Sequence, residues 1–364
     1  MINLTLNDAK ELFTRPCEIA RTNKSSNESL SYILINSDGY NLSAIGTNTI
    51  DTCKKSIQHI SEPFVLCVDA DHLLTVLENF NKAKLNISME QLSESKVKIK
   101  IGKSTAQIAC IDEAIYPTPV IPDESLNAFS FSGEQFIKEL ASVMYAKASN
   151  NTAIYLNHVG FSISQGVCSL KAANGHRLVT SEFEVPIQTN IRGIFPTGLC
   201  NQLIKLSPKG VIQFFYNQSQ FYCKFDNTLL GSNFVSAEFP DVSNAIATEA
   251  TCSVTVETRS LHESVSRFKA FVKSSKIPKL TLAFANGVLT LKTRSSDTNE
   301  LDEELELNGW QGEATQEVNV SPSYLLDAIN NINSENTSIA FTKSNCIKLN
   351  AIDSNQDAIV MAMR

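Results

Sequence analysis

The sequence has no apolar run approaching the roughly 18 residues that a membrane-spanning helix needs, and no basic stretch followed by an apolar one in Met1-Ile2-Asn3-Leu4-Thr5-Leu6-Asn7-Asp8. Neither a membrane span nor a secretory leader is expected, and the chain reads as cytoplasmic. Cys-x-x-Cys spacing is missing too: Cys17, Cys53, Cys67, Cys110, Cys168, Cys200, Cys223, Cys252 and Cys346 are scattered and odd in number. Reduced core thiols are therefore expected, with no metal and no cofactor. There is no Gly-rich phosphate loop, no Gly-x-Ser-x-Gly elbow and no His-Glu-x-x-His, while His59, His72, His158, His176 and His262 stand apart in the sequence. With 14 glycines and 11 prolines in 364 residues the chain is not low-complexity, and 43% hydrophobic residues suffice for packed cores. A net charge of −7 argues against a grip on nucleic acid by bulk attraction, but leaves room for a local basic surface.

What is present is an internal repeat. An alternating strand followed by an amphipathic segment begins at Leu4-Thr5-Leu6-Asn7, at Phe129-Ser130-Phe131-Ser132 and at Val254-Thr255-Val256-Glu257, with 125 residues between successive starts. A second strand-to-helix junction recurs inside each copy, after Val68, Phe195 and Val320. Asn7, Ser132, Thr258, Thr197 and Ser321 are capping-type residues placed where apolar spacing changes from two toward 3.6, so each copy is predicted to carry two helices. The remaining segments alternate, with Asp38-Gly39 and Asn286-Gly287 as hairpin turns. The reading is an α+β chain of three domains, 1–124, 125–249 and 250–364, each with two helices packed on antiparallel sheet.

These three copies, together with Asn174-Gly175-His176-Arg177-Leu178, Gly46-Thr47-Asn48, Ile154-Tyr155-Leu156-Asn157, Phe239-Pro240-Asp241 and Ile359-Val360-Met361-Ala362-Met363-Arg364, resemble the bacterial DNA polymerase III β sliding clamp family over the whole chain. The resemblance implies a head-to-tail homodimer closing into a six-domain ring. Twelve helices would line a channel for duplex DNA, and polymerase and clamp-loader subunits would dock through short hydrophobic peptides. It implies a peptide pocket at Leu156, Ala173, Gly175, His176, Arg177, Leu178, Pro240, Asn244, Ala245, Ile359, Val360, Met361, Ala362, Met363 and Arg364, and DNA contacts at Arg21, Lys24 and Asn150. Ala362 stands where the family commonly has Pro, Asn244 where it has Arg, and the usual final Leu is missing, so a different peptide preference is expected.

Charge supports this picture on elementary grounds. The six helical segments 7–24, 69–84, 132–148, 197–209, 257–279 and 321–336 together carry +4, leaving −11 for the rest. A mildly basic bore inside an acidic body attracts phosphates without reading bases. Period two aligns Lys96, Lys98 and Lys100 on one strand face, and Glu300, Asp302, Glu304 and Glu306 on another. If an edge of the first copy met an edge of the third, opposite charges would set register in a heterologous interface. The family resemblance adds Ala106, Ile108, Phe271 and Val272 to that interface. The competing expectation is a repeat-built enzyme with its active site between copies. The missing motifs and isolated histidines weigh against it.

Overall fold

The computed structural model describes residues 2–80, 85–121, 123–124, 127–188, 190–294, 299–313, 315–344, 346–351 and 355–363. Seven helices occur among them: α1 Leu6–Arg21, α2 Ala70–Glu78, α3 Gly133–Met144, α4 Thr197–Leu206, the single-turn α5 Ser243–Ile246, α6 Thr258–Phe271 and α7 Pro322–Ile329. Each long helix follows a strand, as the repeat predicts: Ile2–Thr5, Phe64–Asp69, Phe129–Ser132, Ile191–Phe195, Ala250–Glu257 and Thr315–Val320. The junctions are local. In α1, Leu6, Ala9, Leu12, Phe13, Pro16, Cys17 and Ala20 recur at three- and four-residue steps and are all buried, which commits one stripe of the helix to the sheet.

Capping is partly as expected. Ser321 accepts the Tyr324 N–H at the start of α7, but the cap of α1 is Thr5, whose hydroxyl accepts the Asp8 N–H at 3.1 Å. Asn7 lies inside that helix. Thr258 is helical, and its hydroxyl pairs with that of Thr337 at 2.8 Å. Asn286 (φ +52°) and Gly287 (φ +82°) both occupy left-handed backbone between Leu280–Ala285 and Val288–Arg294, the geometry of a tight two-residue hairpin.

The chain clusters into two compact units, one of Met1–Phe136 with Gly198–Ser236, the other of Ile137–Thr197 with Ala237–Arg364. In the first unit a 12-stranded antiparallel sheet runs through both sequence copies, because Asp51–Gln58 pairs with Thr228–Asn233. In the second, a nine-stranded sheet joins Arg177–Glu184 to Gln356–Met361, beside a separate four-stranded sheet. The second copy thus gives strands to both units. All nine cysteines are free and buried, and burial pushes the Cys53, Cys67 and Cys168 thiols up to about 12.

Candidate partner-peptide groove and edge strands

The candidate peptide-contacting residues in the second unit start from a turn. Asn174 Oδ1 accepts the His176 and Arg177 N–H groups at 2.9 and 3.0 Å, and Gly175 supplies the left-handed residue (φ +88°) this tight return requires. The strand leaving it, Arg177–Glu184, sets Leu178 opposite Ile359 and Arg177 opposite Val360. Met361 extends the ladder by donating its N–H to the His176 carbonyl at 2.9 Å, and Met363 donates to the Asn319 carbonyl at 2.7 Å.

Leu178, Ile359 and Cys346 form a small buried apolar cluster, against which Ala173, Val242 and Ile246 pack. Val242 and Ile246 come from the segment around α5. That segment is fastened by Asp241, whose carboxylate accepts the Ser243 hydroxyl and N–H at 2.5 and 2.9 Å. These hydrogen bonds, the Ser243 hydroxyl first, hold the Asp241 carboxyl below the usual carboxylate range. The segment is anchored upstream by Phe239, which packs edge-on against Tyr155 at 5.8 Å. Phe239 also lies over Gly160, where a Cβ would come within 2.5 Å of its ring.

Of the residues expected in the pocket, Ala173, Leu178 and Ile359 join this cluster, and Met361 projects beside it, 47% exposed. Asn244 and Ala245 lie on the outer, exposed side of α5, and Leu156 sits half-buried in the short turn Ile154–Asn157. Val360 sits differently from its neighbours in the strand. Strand alternation turns it to the face opposite Leu178 and Ile359, where it is 1% exposed. Arg364 lies outside the described residues. Pro240 is exposed and Ala362 half-buried, both at flanking positions. Cys346, Val242 and Ile246 were not anticipated, because only the pairing of distant strands brings them to one place.

Arg177 is committed within the chain. Its guanidinium donates to Asp327 Oδ2 at 2.5 Å and to the Tyr145 carbonyl, and lies 4.8 Å from the Tyr324 ring and 5.2 Å from the Tyr145 ring. His176 stacks on Tyr324 at 5.9 Å. The arginine therefore joins the end of α3 to α7, and its side chain is only 10% exposed. Burial raises the Tyr145 hydroxyl above the ordinary tyrosine range.

The expected DNA contacts fall on two units. In the first, Arg21 ends α1 with its Nε 2.8 Å from Asp71 Oδ1, so part of its charge is met inside the chain, and Lys24 is exposed in the loop that follows. In the second, Asn150 is exposed at a left-handed position (φ +58°).

The edge strands differ from expectation in one respect. Lys96–Ile101, which carries Lys96, Lys98 and Lys100, is not an edge, since it pairs on both sides, with Asn86–Ser93 and with Ser104–Ile111. The outer strand is Ser104–Ile111, which meets Phe64–Asp69 through Ile111 and Cys110, and among the described residues the stretch around Ala106 and Ile108 has no second partner strand. The lysines stand one strand inward, on the face of Thr105 and Gln107, and Lys98 already lies 3.9 Å from Glu90. In the second unit, Glu300–Leu305 is a true edge. Glu303 turns inward to Arg267 and the Ser264 hydroxyl, which leaves Glu300, Asp302 and Glu304 on the outer face. The Arg267 guanidinium, hydrogen-bonded to it, holds the Glu303 carboxyl low. Glu300 pairs with Arg294, and Lys292 stands opposite Asp302. Ile108 and Val272 are 6% and 1% exposed within the single chain, while Ala106 and Phe271 are partly open.

Among the described residues no group of three or more His, Cys, Asp or Glu lies close enough to hold a metal ion, and no helix is long and apolar enough to cross a membrane.

Comparison with known proteins follows the same lines. Family models described as DNA polymerase III beta subunit, central domain, and DNA polymerase III beta subunit, C-terminal domain, match residues 130–241 and 243–364. The beta sliding clamp of Pseudomonas aeruginosa is 25% identical over 346 residues, covering 92% of each chain, and that of Chlamydia pneumoniae is 24% identical over 320 residues, 86% of each. The crystal structure of the Pseudomonas aeruginosa sliding clamp bound to griselimycin superposes with a TM-score of 0.89 at 22% identity, covering 100% of this chain and 99% of that one. The Bacillus subtilis sliding clamp gives 0.90 at 16% identity, over 100% and 98%.

Proposed function

The chain belongs to the DNA polymerase III beta-subunit family, and on that premise we propose that it is a DNA sliding clamp, a non-catalytic processivity factor acting in the cytoplasm. The observation that carries this reading is the threefold strand-then-helix repeat folded onto continuous antiparallel sheets, matching clamp structures over the full chain length. Two such chains, head to tail, make a ring of six domains, with 1–124, 125–249 and 250–364 as the repeating modules. Duplex DNA threads the channel, and the polymerase and loader subunits are held by short hydrophobic peptides.

The mechanism is topological. The helix-bearing segments 7–24, 69–84, 132–148, 197–209, 257–279 and 321–336 carry +4 within a chain of −7, with Lys24, Lys209, Lys273, Lys276 and Lys279 flanking the helices themselves. Such a surface attracts the phosphate backbone weakly and without sequence preference, so the ring slides while remaining linked. The free edge of Ser104–Ile111 and that of Glu300–Leu305 supply unpaired backbone groups of complementary surroundings, lysines on one side and carboxylates on the other. Their pairing would continue the sheet from one protomer to its partner. The apolar cluster of Leu178, Ile359 and Cys346, with Ala173, Val242 and Ile246 packed on it, is where an apolar anchor would dock, and the exposed, flexible Met361 beside it is able to fit several peptides. Light scattering on the purified chain tests this: a closed species of two chains is expected, and a strict monomer at micromolar concentration contradicts it.

A further inference from the structure

The backbone that brings Leu178, Ile359 and Cys346 together in the second unit is repeated in the first, residue for residue. Asn48 Oδ1 accepts the Ile50 and Asp51 N–H groups at 3.0 and 2.7 Å, as Asn174 Oδ1 accepts those of His176 and Arg177. Asn233 donates its N–H to the Ile50 carbonyl at 3.0 Å, where Met361 donates to that of His176. The ladders share one register. Thr47 stands opposite Thr52 and Gln220 opposite Asn233, as Ala173 stands opposite Leu178 and Cys346 opposite Met361. The short turn Glu28–Ser31 carries Leu30 as Ile154–Asn157 carries Leu156.

The backbone is kept and the chemistry is exchanged. A cavity of about 320 Å³ opens at this corner of the first unit. Its lining has Thr52 in place of Leu178, Thr47 in place of Ala173, Gln220 in place of Cys346 and Asn233 in place of Met361. Gly231 replaces Ile359, and the Tyr222 ring takes up the room: a Cβ on Gly231 would lie 2.1 Å from it. Leu30, Ile50 and Pro117 keep part of the lining apolar, and no charged side chain is among the residues that line it. Thr49 holds the turn at φ +77°, where the second unit has Gly175. A β-branched residue in left-handed backbone is strained, and such strain is characteristic of binding sites.

Hydrogen bonds already within the wall decide what an entering group meets. The Thr52 hydroxyl donates to that of Thr47 at 3.0 Å, and Thr47 donates to the Asp51 carbonyl at 3.0 Å. The Asn233 amide donates to the Thr49 carbonyl at 3.2 Å, which leaves its Oδ1 as an acceptor beside the Gln220 carboxamide, at once donor and acceptor. A carboxylate or an ammonium would be desolvated here with no counter-charge, and an aliphatic group would leave the amides unpaired. A carboxamide matches both.

We infer that this cavity is a second peptide-docking site, which takes an extended segment of a partner protein through an inserted Asn or Gln side chain. The chain then carries one apolar and one polar peptide site on the same backbone scaffold. The inference rests on the clamp reading in one respect, the docking role given to Leu178, Ile359 and Cys346.

Saturation-transfer NMR on the full-length protein, as its native oligomer, tests it with the capped peptide Gly-Thr-Gln-Thr-Gly and with versions carrying Glu or Leu in place of Gln. Transfer to the Gln peptide is expected, several-fold weaker to the other two, and the same at low and high salt because the lining is uncharged. Gln220→Leu is expected to weaken the Gln peptide several-fold and to favour the Leu peptide, a reversal that simple damage to the fold does not give. Ile50→Lys, at a position 58% exposed, is expected to weaken all three and stands in if Gln220→Leu folds poorly. No transfer to the Gln peptide, equal transfer to all three, or transfer unaltered by either substitution overturns the inference. Removing residues 361–364 is expected to leave the Gln peptide bound, and its loss there would assign the binding to the apolar cluster and overturn the second site. Retention on circular DNA reports separately on the ring, so failure of the clamp reading and failure of this site are distinguishable.

Discussion

Arg177 and Asp327 lie 150 residues apart in sequence, and the guanidinium Nη1 donates to the carboxylate Oδ2 at 2.5 Å while two tyrosine rings flank it. Because the arginine is nearly buried and the aspartate is 40% exposed, Arg177→Ala is expected to cost about 1–3 kcal/mol in urea unfolding. Arg177→Lys recovers only part, since an ammonium cannot stack and fork in the same way. Full stability for Arg177→Ala would show that the contact contributes nothing.

The tail gives a second expectation. Removing residues 361–364 takes away the backbone bonds to His176 and Asn319 and the exposed Met361 side chain beside the Leu178–Ile359–Cys346 cluster. Stimulation of polymerase synthesis on a primed circle should be lost, while the oligomer measured by light scattering stays intact at a stability cost of about 1–3 kcal/mol. Dissociation of the oligomer by this deletion contradicts the placing of the groove away from the subunit contact.

How far the sequence reveals the fold depends on distance along the chain. The period change from Phe129-Ser130-Phe131-Ser132 into α3 is local, so helices and hairpins can be read directly, as can Asn286-Gly287. The groove floor is not local: Cys346 reaches Leu178 only because Cys346–Ala351 pairs with Gln356–Met361, which in turn pairs with Arg177–Glu184. The basic strand was legible as basic but not as interior. Its own residues carry no sign that Ser104–Ile111 folds back outside it.

Reversing Lys96, Lys98 and Lys100 to Glu should therefore weaken the dimer moderately, by about 0.2–1 kcal/mol per pair, and the effect should fade at high salt. Sedimentation at low and high salt reads this. A salt-independent loss would point to damage within the first unit's own sheet instead.

Gly46 is a sharper structural test. A Cβ there would overlap the Pro16 carbonyl of α1, a backbone group that cannot swing aside. Gly46→Ala is expected to destabilise by about 2–4 kcal/mol in chemical denaturation. A neutral substitution would mean that α1 does not approach the strand this closely.

Alkaline stability follows from the thiols. Cys53, Cys67 and Cys168 are held protonated up to about 12 by burial, against an ordinary value of 9.0. The unfolded chain gives up these protons first, so their contribution is complete below pH 9 and is lost as pH rises from there toward 12. Thermal midpoints should fall steeply above about pH 9, and a thiol reagent at about pH 8 should label the native protein slowly. Rapid labelling of these three thiols contradicts their burial.

The clamp reading stands or falls on linkage to DNA. The protein is loaded onto nicked circular duplex, washed in high salt, and the duplex is then cut once. Retention on the intact circle followed by release on linearisation is the predicted result, and equal loss from both forms contradicts a closed ring.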